Sequence, residues 1–371
     1  MKQNSQATRM REYINSVVPD AHGHQQKVIA HFVTALMAVQ SCRQATLARE
    51  GENFEAASKR LSRYLHNERI EEDETARCPA RCFVAMLPPS GRQPLRLTLD
   101  WTSEGEQHLL VASVRFGRRA VPLYWHGFET TDLKARLGEY ERVFVRELFT
   151  EVLEKMARRL FMFTADRGFA DVDLMDLLNE LGLSFIIRTK LSHKVLVAEQ
   201  WVKIANLPWP KKQQRRTWGQ LWYCESNPRR VHFCQARTKD KEGNWHIWNL
   251  VSNRPLSAKK MSAEDGCRFS GEEGFRDGKR LLGFAEARIS SIAAWQRMFL
   301  LVAIALLLLA RLGCGLLQHE KKDEWLRQIR SRRTTRSEVS LVYAVIEILK
   351  KEPELWEILN KELKINLNAK L

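Results

Sequence analysis

Cysteine is scarce and scattered, with seven thiols at positions 42, 78, 82, 224, 234, 267 and 314 of the 371 residues. An odd, unevenly spaced set does not form a disulfide framework, and the polar opening MKQNSQATRMRE has no apolar secretory core, so a reducing cytoplasm is the expected compartment. Cys78 and Cys82 flank CPARC, but no second Cys or His pair follows at finger spacing, which argues against a zinc site. Long apolar runs are also wanting. The greasiest, Met298 to Ala310, reads MFLLVAIALLLLA and is broken by Arg311, well short of the roughly 20 residues that a membrane span needs. It predicts a buried core helix. No internal repeat or low-complexity segment is present.

Acidic charge is in deficit: 44 Asp and Glu stand against 60 Lys and Arg, a net +16 with a pI near 9.7. The excess favours a polyanionic partner through phosphate contacts and counterion release, with nucleic acid first, although many soluble proteins are simply basic. At 371 residues the chain exceeds what one hydrophobic core usually holds, so more than one domain is expected.

Several segments declare their periods. Val28, Ile29, Phe32, Val33, Leu36 and Met37 recur at helical spacing, and so do Leu61, Tyr64 and Leu65. In ASKRLSRYLHN the cations Lys59, Arg60 and Arg63 flank the apolar stripe, the pattern of a small DNA-binding helical domain or of a plain solvated face. The run IEEDETARCP and Pro88-Pro89 mark a linker. From Leu95 the period becomes two: LRLTLDW, then LLVASVRF and AVPLYW turning near Gly117, predict three neighbouring strands. A helix is predicted over about 133–160, followed by strand FMFTAD, helix DVDLMDLLNELG and strand SFIIRTK, a strand-helix-strand unit. Short strands rich in Trp, Val and Tyr, divided by PWPKKQQRRTW, SNPRR and KDKEGN, predict a β-rich module over 191–258. Helix returns with SGEEGFRDGKRLLGF and the apolar run. The basic stretch QIRSRRTTRSE precedes a last amphipathic helix over about 339–351.

Asp100 and Asp166 each close an alternating or apolar strand, where α/β sheets generally place their sites. Glu272 falls near a helix start, with Arg268 predicted on its face and Lys279 two turns along. Three carboxylates suit Mg²⁺ or Mn²⁺, hard cations that prefer oxygen. A pair of such ions can activate water and stabilise a leaving 3′ oxygen in phosphoryl transfer, while the two cationic side chains grip neighbouring phosphates. Singly, a strand-end Asp is more often a turn former and a Glu flanked by cations a solvated face; their order together is more specific.

Three blocks, LTLDWTSEGEQHLLVASVRFGRRAVPLYW, FTADRGFADVDLMDLLNELGLSFIIRTK and RFSGEEGFRDGK, resemble the catalytic blocks of DDE transposases of the insertion sequence four family, the group of the composite transposon five transposase. The resemblance covers roughly residues 95–310. It implies an α/β fold with a ribonuclease-H-like catalytic core over 90–310, interrupted by the β-rich insertion at 191–258. A helical DNA-binding domain over 1–75 and C-terminal helices over 311–371 would flank this core. It further implies that Asp100, Asp166 and Glu272 bind two Mg²⁺ ions, with Mn²⁺ as a substitute. Arg268 and Lys279 take their places in the family's Tyr-Arg-Glu-Lys signature, which holds the transposon-end backbone. The implied partners are terminal inverted repeats and target DNA, bound by a dimer in a synaptic complex in the cytoplasm, at the nucleoid when on DNA. A hairpin at the excised end is implied by the nearest relatives.

The sequence departs from the signature at the tyrosine, whose spacing falls on Asp265. A carboxylate against phosphate repels DNA, and glycines 271, 274 and 278 are poor helix material, costing about 1 kcal/mol each relative to Ala. Both point to the alternative of a weakened or inactive, transposase-derived DNA-binding protein; a structure-selective nuclease of the same fold is a further rival. In the insertion, Trp201, Trp209, Trp218, Trp222, Trp245 and Trp248 interleave with Lys211, Lys212, Arg215, Arg216, Arg229 and Arg230. Such rings can stack on an unpaired base, but most of the six are expected in the core of a small sheet.

Overall fold

The computed structural model describes residues 2–19, 21–51, 53–70, 77, 79–83, 94–116, 119–134, 136–154, 160–209, 213–239, 242–329 and 340–352. The hairpin tip at Gly117, Cys78, Pro88 and Pro89 of the linker and most of its acidic run lie outside the described residues. So do Lys211, Lys212 and most of the basic stretch before the last helix.

Helices α1 (Lys2–Val17), α2 (Gly23–Val39), α3 (Gln44–Ala48) and α4 (Phe54–Leu65) open the chain. A capping box between His22 and Gln25 starts α2, and Asn53 Oδ1 accepts from the Ala56 amide at 2.9 Å to start α4. Strands β1 (Leu95–Glu104), β2 (Gln107–Phe116) and β3 (Arg119–Glu129) follow where the period-two pattern runs, and then α5 (Leu137–Glu147). The helix predicted to about 160 leaves α geometry at Leu148–Val152, which forms a π turn. Next come β4 (Phe161–Ala165), α6 (Val172–Glu180) and β5 (Ser184–Arg188), the predicted strand-helix-strand unit. Strands β6 (Lys194–Val197), β7 (Gln200–Lys203), β8 (Arg215–Tyr223), β9 (Arg229–Lys239) and β10 (Trp245–Ser252) occupy the β-rich stretch. Helices α7 (Ala258–Gly266), α8 (Phe269–Arg276), α9 (Ile292–Gln318), α10 (Lys322–Ile329) and α11 (Leu341–Lys351) complete the described elements.

The chain divides into two compact units. One comprises Met1–Pro89, Trp101–Thr131 and Ser270–Leu371, the other Ser90–Asp100 and Asp132–Phe269.

In the first unit α9 is the core. It is long and apolar enough to cross a membrane, but 89% of its most apolar window is buried within the protein. The edge of the Trp125 ring meets Phe299 at 4.9 Å, fixing the β2–β3 hairpin to α9. Buried Arg297 reaches from α9 to the C-terminal end of α4, donating to Leu65 O at 2.7 Å and to Ile70 O at 3.2 Å. Leu65 ends α4, so its carbonyl has no partner within that helix, and the guanidinium satisfies it and favours the helix dipole. The N-terminal helices thereby share the core of α9.

In the second unit β1, β4 and β5 run parallel, and β10, β9, β8, β6 and β7 continue the sheet antiparallel in that order. The β-rich stretch is therefore an extension of the parallel strands, joined through β5 and β10. Helix α7 lies on one face, where Ala258 and Met261 pack with Met162, Ile186, Cys234 and Leu250.

Candidate active site

Strand register brings the two aspartates together. Leu95–Leu99 of β1 pair with Phe161–Ala165 of β4, ending with Leu99 opposite Ala165; Asp100 and Asp166 each follow that pair by one residue. Alternation puts Thr98 and Asp100 on one face of β1, and Thr164 and Asp166 on the same face of β4. The Thr98 and Thr164 hydroxyls, buried and 3.1 Å apart, show that these two faces coincide. With strands about 4.8 Å apart, the two residues leave adjacent strands on the same face, both half-buried.

Asp166 is then turned by its own loop. Its backbone stays extended at φ −79° and ψ −177°, while Oδ1 accepts from the Gly168 amide at 2.7 Å. A Cβ at Gly168 would stand 2.9 Å from that oxygen, so glycine permits the turn. A carboxylate has about four lone-pair sites, so this bond fixes the group without exhausting it. The arrangement combines the turn-forming and ligand-bearing roles that the sequence offers as rivals.

Two ion pairs pin α7 over this face. Arg96, four residues before Asp100 on the same face of β1, binds Glu264 through both arms, Nε to Oε2 at 2.5 Å and Nη2 to Oε1 at 2.9 Å. Burial works to raise the Glu264 carboxyl, yet hydrogen bonds from Arg96 and Lys260 outweigh it and hold the group below the usual glutamate range. The next residue, Asp265, is fully buried and meets Arg188 at 2.7 Å. Arg188 lies 3.9 Å from the centroid of Trp248 and 5.1 Å from that of Phe269. Burial pushes the Asp265 carboxyl up, Arg188 and Arg268 oppose this, and Asp166 adds to it. Asp265 is thus not an acid presented to phosphate, as its position in the signature suggested. It is an inward residue with a cation of its own.

Arg268, Glu272 and Lys279 do not lie on one continuous α-helix. Arg268 precedes α8 and is buried beside the Phe269 ring, at 5.1 Å, whereas Glu272 is exposed on the first turn. After α8 the chain widens into a π turn, Asp277–Leu281, which offsets Lys279 from α-helical spacing; its Nζ donates to Ser103 O at 2.8 Å. Asp100, Asp166 and Arg268 belong to the second unit, Glu272 and Lys279 to the first. Among the described residues no three His, Cys, Asp or Glu side chains gather closely enough to hold a metal ion. The donor chemistry of Asp100 and Asp166, oxygen only, adjacent and half-buried, fits a hard divalent cation.

The glycines of α8 also have a structural reason. A Cβ at Gly274 would come within 2.3 Å of Ala120 O on β3, so the helix lies on strand backbone and only glycine fits. Beside it, Arg119 pairs with Glu273 at 3.0 Å and Asp277 at 2.7 Å. Burial raises the Asp277 carboxyl against the pull of Arg119.

None of the six tryptophans of the β-rich stretch is fully buried; Trp222 and Trp245 are 38% and 46% exposed and the others half-buried. Core places in these strands go to Val231, Phe233, Cys234, Leu250 and Val251, so the expectation of core tryptophans fails. Cations take up the rings instead. Arg216 lies 3.6 Å from the centroid of Trp218 and Arg230 4.9 Å from Trp222, while Arg237 and Lys239 lie 4.6 and 4.8 Å from Trp245.

No curated protein matches the chain. Residues 144–308 match the family model of the transposase DDE domain, a stretch that holds Asp166, Arg268, Glu272 and Lys279 and begins beyond Asp100. This match, over less than half of the chain, supports a DDE transposase family.

Proposed function

We propose that the chain is the transposase of an insertion sequence, moving it by cut and paste. It binds terminal inverted repeats, pairs two ends as a dimer, hydrolyses a strand at each end and joins the freed 3′ hydroxyl to target DNA. The observation that carries this reading is the β1–β4 register, which puts Asp100 and Asp166 each one residue past the Leu99–Ala165 pair, in a chain that matches a DDE domain over 144–308.

In this reading the second unit contributes a ribonuclease-H-like strand arrangement, with the stretch 191–258 as its insertion and the segments 1–75 and 311–371 as flanking helical regions. Asp100 and Asp166 hold Mg²⁺, or Mn²⁺ in its place, with Glu272 completing the set. When bound, two such ions activate water and stabilise the leaving oxygen. The protein's own work is positional. Gly168 fixes the Asp166 carboxylate through its amide, and Arg268 and Lys279 hold the backbone of the transposon end. A groove of about 440 Å³ lined by His24, Lys59, Arg60 and Arg63 offers a second cationic surface for phosphate. The inactive DNA-binding alternative loses its main motive once Asp265 is paired with Arg188.

The test is cleavage of supercoiled plasmid carrying the element's own ends, in Mg²⁺ and in Mn²⁺, for the wild type beside Asp166→Asn. Cutting at the ends that the substitution abolishes, with strand joining in the same reaction, is the expected result. A wild type that binds the ends and cuts with neither metal refutes the catalytic reading.

A further inference from the structure

The register that sets Asp166 beside Asp100 also sets it beside an arginine. β4 and β5 are parallel, with Ala165 opposite Ile187, so Asp166 and Arg188 each follow that pair by one residue. Both fall on the face that α7 covers, with Thr164 and Ile186 one step below. An arginine one strand away, about 4.8 Å at the backbone, is well placed to close a bidentate pair with Asp166 and occupy the oxygens that a cation requires.

Arg188 takes another course. Its guanidinium turns to Asp265 at 2.7 Å and lies flat enough over Trp248 to bring its carbon within 3.9 Å of the ring centroid. Asp265 is fully buried, and its other oxygen, Oδ1, has no hydrogen-bond partner among the described residues. A carboxylate so placed is costly in its own right, and Arg188 is the residue it bonds. Asp166 and Arg268 lie within its electrostatic reach. Glu264 repeats the device on the other flank of β4, drawing in Arg96, which shares the face of Asp100. Consecutive carboxylates of α7 thus each take one arginine from a strand next to the one that leads into Asp166.

We propose that Asp265 is a positioning residue of the carboxylate row: it holds Arg188 against Trp248 and away from Asp166, leaving Asp166 to a divalent cation. The inference rests on Asp100 and Asp166 being metal ligands. Removal of the Asp265 charge releases Arg188 to pair with Asp166, so that the arginine competes with the metal.

The experiment is Mn²⁺ binding to the full-length protein without DNA, measured by calorimetry for the wild type, Asp166→Asn, Asp265→Asn and the double variant Asp265→Asn with Arg188→Gln. Asp166→Asn should bind Mn²⁺ more weakly than the wild type. Asp265→Asn should weaken binding by about tenfold or more, and the double variant should return to within about threefold of wild type, because the competing cation is gone. A merely structural role predicts the opposite order, with the double variant at least as damaged as the single one. Wild-type affinity in Asp265→Asn, or no recovery in the double variant, overturns the proposal. Equal Mn²⁺ binding by the wild type and Asp166→Asn refutes the metal-ligand reading itself, and the positioning role falls with it.

Discussion

Gly274→Ala is the sharpest test of how α8 is seated. In an unconstrained helix the change favours stability by about 1 kcal/mol, since alanine loses less backbone entropy on folding. Here the new methyl would meet Ala120 O at 2.3 Å, with the Ala120 carbonyl carbon and amide nitrogen each at 3.2 Å. Those atoms are strand backbone, and Ala120 is buried and paired with Arg115 across the β2–β3 hairpin. The helix must therefore retreat by about 1 Å to reach ordinary van der Waals distance, with loss of packing around it. Overpacking of this kind costs about 1–3 kcal/mol and at times more; against the propensity gain of about 1 kcal/mol, a net loss of about 1 kcal/mol is expected. Denaturant unfolding followed by tryptophan fluorescence measures it, with Gly23→Ala as control because nothing lies within 4 Å of a Cβ there. The midpoint should fall for Gly274→Ala and hold or rise for Gly23→Ala. Equal or greater stability in Gly274→Ala would refute the close-approach argument and restore the reading of these glycines as faults in the helix.

Glu264→Gln should destabilise the protein by about 3 kcal/mol at neutral pH, because it leaves Arg96 without its buried counter-charge. The pH dependence has a definite sign: a carboxyl held below its ordinary value of 4.5 stabilises the fold above that value and loses the effect as pH falls through the lower, folded value. Urea midpoints across the acid range should therefore slope less in Glu264→Gln than in the wild type; parallel slopes would contradict the assignment. Trp245→Ala removes a ring that is 46% exposed, so its effect on stability should stay within about 1 kcal/mol. If the ring stacks on a base, affinity for end DNA in a gel shift should drop by about 1–3 kcal/mol, and unchanged affinity would remove Trp245 from the DNA surface.

Much of the fold was legible because it depends on short-range pattern. LRLTLDW and FMFTAD read as strands and became β1 and β4, and the apolar run at 298–310 read as a core helix and became the middle of α9. What could not be read depends on close approach between distant segments. Nothing local in SGEEGFRDGK announces that Gly274 rests on Ala120, or that the helix turns π at Asp277. The tryptophans misled for a related reason. Burial statistics do not say which apolar side chains of β8, β9 and β10 take the core; Val231, Phe233, Cys234, Leu250 and Val251 do, and three of the rings are covered by Arg216, Arg230, Arg237 and Lys239.

Arg188 marks the same boundary inside the candidate site. From the sequence, SFIIRTK ends in ordinary strand-terminal cations, and Asp265 is an acid in place of a tyrosine. Neither residue explains the other, because they are joined only when β5 lies beside β4 and α7 crosses above. One signal was within reach: once FMFTAD and SFIIRTK are taken as parallel neighbours, in-phase apolar residues set Asp166 against Arg188, and a cation beside a proposed metal ligand demands a counter-charge. The acid that appeared to weaken the signature supplies it. An acidic residue at a phosphate-facing position and an acidic residue that neutralises an arginine beside the carboxylates have opposite consequences for DNA cleavage. The difference is one of direction, and the burial of Asp265 decides it.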